Sequence, residues 1–140
     1  METIKLFVSM LITALILDIT WLGFFAKKLY GDAIGGLLRK SGDALAPNYP
    51  AAFLVYVAII AGILLFVLPK AQGSYVMALA WGALFGFLTY AVYDFTNLAI
   101  LTDWPLPISI IDILWGTFLY SIVTLVGVYL QNNFFKVNLS

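Results

Sequence analysis

Four apolar runs, at 4–25, 51–68, 75–97 and 107–130, constrain this chain more than any other feature of its sequence. A bilayer core about 30 Å thick needs roughly 20 helical residues, within a range of about 17 to 25, and every run qualifies. Lipid offers no partner to backbone N–H and C=O groups, so each run is expected to satisfy its own as an α-helix; short alternating barrel strands are absent. The reading is an all-α fold, a single domain over residues 1–140 with four transmembrane helices. The first run carries Asp18 and Trp21 and ends in Phe24-Phe25-Ala26-Lys27-Lys28, with no small-residue cleavage pattern. It is read as a retained span, not a signal peptide.

Composition agrees: 64% of the residues are hydrophobic, 10% are charged and the mean hydropathy is +1.04. Seven basic residues balance seven acidic ones, which leaves no surface to neutralise a nucleic-acid backbone. Neither Cys nor His is present, so zinc, iron–sulfur and His-ligated haem sites are not expected, nor is a His-dependent nucleophile. A retinal Schiff base needs a lysine inside a helix, whereas Lys70 and Lys136 lie at run ends.

The connections differ in kind. Between the first two runs, Tyr30, Ile34, Leu37 and Leu38 fall at helical spacing among Lys27, Lys28, Arg39 and Lys40. This is the pattern of a short interfacial amphipathic helix, weakened by Gly35 and Gly36; a folded loop bounded by Pro47 and Pro50 fits as well. The turn at 69–74 is tight, with Ser74 a candidate N-cap, and Asp103 is read as a cap for the fourth helix. Three basic residues on the side of the termini against four on the other do not decide orientation.

A carboxylate inside a span costs about 2.5–3.5 kcal/mol on insertion scales, so Asp18, Asp94 and Asp112 mark a functional site by default. In an up-down-up-down bundle all three fall in one leaflet. Helical faces add neighbours: Leu11, Ala14, Trp21 and Leu22 beside Asp18; Ala83, Phe87, Tyr90 and Asn97 beside Asp94; Ile108, Trp115, Gly116 and Leu119 beside Asp112. Asp18-Ile-Thr-Trp21 recurs as Asp112-Ile-Leu-Trp115 on a helix of opposite direction. The expected pocket is Asp18, Trp21, Tyr90, Asp94, Asn97, Asp112 and Trp115. Competing readings place Trp21 and Trp104 in the interfacial aromatic belt and treat the aspartates as interhelical polar glue. Gly82 and Gly86 read first as close helix packing and second as a homodimer face.

The oxygen donors suit a hard divalent cation, yet no paired Asp-x-x-Asp motif supports one. The favoured function is binding or processing of a small lipophilic or amphiphilic molecule, its polar group held by the carboxylates and its apolar part by the aromatics. In that role at least one Asp is protonated and donates. The alternatives are an accessory subunit of a larger membrane complex and a small proton-coupled transporter of a cationic solute.

Asp18-x-x-Trp21-Leu22, Phe66-Val67-Leu68-Pro69, Gly82-Ala83-Leu84-Phe85-Gly86, Tyr90-x-x-Tyr93-Asp94-x-Thr96-Asn97-Leu98-Ala99, Trp104-Pro105 and Asp112-x-x-Trp115-Gly116 together resemble the DUF2177 family of predicted bacterial membrane proteins. The resemblance covers nearly the whole chain. It implies a four-helix protein of the bacterial inner membrane without an established activity, and it tilts the reading toward a lipid or other lipophilic ligand.

Overall fold

The computed structural model describes residues 1–42 and 44–137. Four helices are long and apolar enough to cross a membrane: α1, Glu2–Phe25; α3, Tyr49–Ala71; α4, Tyr75–Ile100; and α5, Leu106–Asn133. Between the first two lies α2, Lys27–Ile34, a short helix where the sequence allowed either a helix or a folded loop. It stops at Gly35, and a two-residue β ladder follows, Lys40–Ser41 against Ala44–Leu45. Large apolar side chains such as Phe24, Phe53, Leu65, Val92 and Leu114 stay exposed, the surface a bilayer would cover.

The helix ends follow local chemistry. Asn48 accepts from Ala51 N at 3.1 Å to open α3, and Ser74 accepts from Met77 N at 3.3 Å to open α4. The expected cap at Asp103 does not form: α5 starts from Pro105 with no side-chain cap, and Asp103 lies exposed. Pro107, the second residue of the helix, lacks an N–H that a cap would serve. The third helix also runs past Pro69, where the sequence reading ended it. A π segment, Ile63–Val67, shifts the hydrogen-bond register just before the proline, so the missing N–H does not break the helix. The chain then reverses through Gln72 and Gly73, both at positive φ.

Lipid tails are as apolar as leucine, so helix association here depends on close packing. On α4 the buried stripe is Ala78, Gly82, Gly86, Ala91 and Asp94, and it lies against α5. A Cβ on Gly86 would stand 2.3 Å from the Gly116 carbonyl oxygen, and one on Gly82 would stand 2.7 Å from that of Tyr120. Close packing within the chain is therefore the role these glycines fill. The faces read from sequence are partly corrected, since Phe87 and Leu22 point outward. The bundle has two halves. Toward the termini, Leu6, Met10, Ile60, Ile63, Leu68, Val123 and Val128 form an apolar core. The buried aspartates lie toward the opposite end.

Candidate functional site

The buried row of α1, Leu6, Met10, Ala14 and Asp18, advances by four residues and carries its last member into the polar half. Asp18 accepts two hydrogen bonds, from Tyr56 Oη of α3 at 2.5 Å and from Trp115 Nε1 of α5 at 2.8 Å. A second π segment, Trp21–Phe25, ends α1 and contains the tryptophan that stacks on Trp115, with centroids 4.6 Å apart and planes 8° from parallel. The two Asp-x-x-Trp segments thus meet face to face, but the exchange is one-sided. Trp115 donates to Asp18, whereas Trp21 Nε1 is buried without an acceptor. Asp112 instead accepts from Tyr30 Oη, which α2 lowers onto it. Ile34, Trp104 and Ile108 seat that helix against α5, with Tyr30, Leu38 and Leu98 around them.

Asp94 is fully buried and differs from the other two. Its carboxylate lies within reach of the Ser109 hydroxyl, yet neither oxygen closes a hydrogen bond of ordinary geometry. Ser109 Oγ accepts from Trp104 Nε1 at 3.0 Å, which leaves its O–H to donate. Among the described residues the one ion pair is Lys5–Glu2 at 2.9 Å, far from this region, and Lys27 and Lys28 are exposed. No three acidic side chains among the described residues converge closely enough to hold a metal ion. The aspartates therefore form a layer of separate stations, each with its own surroundings.

Tyr90 links that layer to the lipid-facing surface. Its ring fills the space left by Gly116, where a Cβ would come within 2.1 Å of it, and meets Tyr120 edge to face at 5.9 Å. It lies within electrostatic range of Asp18, Tyr120, Tyr56 and Asp94. On its other side is a groove of about 530 Å³ between α3, α4 and α5, lined by Val55, Ile59, Phe85, Tyr90, Tyr93 and Tyr120 among others.

Of the seven residues expected from sequence, Asp18, Trp21 and Trp115 are in direct contact. Asp112 lies one turn from Trp115, and Tyr90 and Asp94 stand together on α4. Asn97 is half-buried and its side chain makes no hydrogen bond among the described residues. Tyr56, Tyr30 and Ser109 were missed. Tyr56 lies in the most apolar span with nothing polar beside it to mark it. Trp104 is no belt residue, being 8% exposed and bonded inward, and Trp21 is held against Trp115.

The family model described as "Predicted membrane protein (DUF2177)" matches residues 3–129. No curated protein and no solved structure matches the chain.

Proposed function

The chain belongs to the DUF2177 family of predicted membrane proteins, and from that premise we propose that it binds a small amphiphilic molecule drawn sideways from the bilayer. The molecule's apolar part lies in the groove between α3 and α4, and its polar end faces the acidic and aromatic layer behind Tyr90. The observation that carries this reading is the groove itself, whose largely apolar wall is broken by Thr89, Tyr90, Tyr93 and Tyr120 where it backs onto the buried aspartates. Mostly apolar concave sites with a few placed polar groups are the usual form of small-molecule pockets.

Native mass spectrometry of the gently extracted protein tests it, comparing wild type with Ala58→Phe. Ala58 is exposed on the groove wall, so the added ring fills the groove without entering the core. The expected result is a co-purifying small molecule on the wild type that the variant lacks. A bare chain, the same adduct on both, or only another polypeptide on both would overturn the proposal, and the last would favour an assembly subunit.

A further inference from the structure

Resting on the amphiphile-binding reading, we infer that the molecule carries a cationic, donor-rich head, an alkylammonium, and that Asp94 is the group that receives it. In the polar half of the bundle, acceptors and positive charge do not balance. The hydrogen bonds closed there leave Asp94 out: Tyr56 and Trp115 donate to Asp18, Tyr30 to Asp112, and Trp104 to Ser109. Asp94 is left with both oxygens buried and closing no hydrogen bond of ordinary geometry, the Ser109 hydroxyl alone lying within reach. An ionised carboxylate offers about four acceptor positions, and leaving a buried charge uncompensated costs several kcal/mol.

No lysine or arginine lies inside the four spans near these groups, the basic side chains of the first connection being exposed. Among the described residues no positive charge faces Asp94, and one has to come from outside the fold. An ammonium supplies it, with three N–H donors on a point charge, whereas an alcohol supplies one donor and no charge. A phosphate or carboxylate head would meet three aspartates and little to bind it. Trp21 Nε1, a buried donor without an acceptor, stands over Trp115, which itself donates to Asp18, so an anion there would be repelled by that carboxylate.

The route is short. Tyr90 and Tyr93 both line the groove and both precede Asp94 on α4, Tyr93 next to it and Tyr90 one helical turn away, which is about 6 Å along the axis. Their rings, with Tyr120, offer π faces that attract a cation on its way inward.

The test uses the full-length protein in phosphatidylcholine nanodiscs, titrated with dodecylammonium, dodecanol and dodecyl phosphate. Binding is read from the rise in unfolding midpoint with probe concentration. Expected is an apparent affinity for dodecylammonium at least ten times that for the other two probes, reduced at least ten-fold in Asp94→Asn and largely kept in Asp94→Glu. Equal binding of all three probes, abolished by Ala58→Phe, would overturn the cationic head while leaving the groove reading intact. A preference for dodecylammonium that survives in Asp94→Asn would overturn the role of Asp94. If no probe binds, or Ala58→Phe changes nothing, both readings fall. Should Asp94→Asn not fold, the ranking of the three probes on the wild type decides the charge of the head by itself, and Asp94→Glu decides the residue.

Discussion

Replacing Gly86 with alanine asks the structure for a definite amount of work. The new Cβ would stand 2.3 Å from the Gly116 carbonyl oxygen and 2.9 Å from Tyr120 Cβ, and the first of these is backbone that cannot swing aside. A relaxed carbon–oxygen contact is about 3.3 Å, so α4 and α5 must part locally by about 1 Å. Alanine recovers up to about 1 kcal/mol of helix propensity, while overpacking at a tight contact costs about 1–3 kcal/mol or more. The separation also pulls Tyr90 off Gly116, so the net effect is placed near the upper part of that range, about 2–3 kcal/mol destabilising. Gly23→Ala is the matched control, because nothing lies within 4 Å of its Cβ and its only effect is a small gain in propensity. Reversible unfolding of both variants in bicelles, at fixed lipid composition, measures the difference. If Gly86→Ala were as stable as Gly23→Ala, the close crossing of α4 on α5 would not be the packing that holds the bundle together.

Tyr56→Phe should destabilise by about 0.5–2 kcal/mol, because Asp18 loses one of its two donors and nothing nearby replaces it; the same unfolding assay reads it, and an unchanged midpoint would count against the Asp18 station. Tyr30→Phe should leave the four spans intact but loosen α2, speeding tryptic cleavage at Lys27 and Lys28 several-fold; cleavage at the wild-type rate would show that Tyr30 does not hold the helix down. Ser74→Ala should cost about 1 kcal/mol through loss of the α4 cap, whereas Asp103→Ala should stay within about 0.5 kcal/mol; equal effects would contradict the capping assignments.

The sequence by itself determined the four spans, their antiparallel succession and the end of the bundle that holds Asp18, Asp94 and Asp112, because run length and the cost of a carboxylate in lipid are properties of the local chain. It also marked Gly82 and Gly86 as a packing stripe and Ser74 as a helix start. How each helix is rotated was decided only by the tertiary structure. In water the polar face of a helix points outward and so reveals the inner one; in lipid both faces are apolar, and hydropathy carries little information about facing. For this reason Phe87 was assigned to the inner stripe and Ala91 was not. Tyr56 and Tyr30 became the partners of Asp18 and Asp112 through contacts 38 and 82 residues apart in sequence, which no local pattern encodes. The two Asp-x-x-Trp segments were visible as a repeat, but that Trp115 would find Asp18 while Trp21 was left without an acceptor depended on where α2 came to rest.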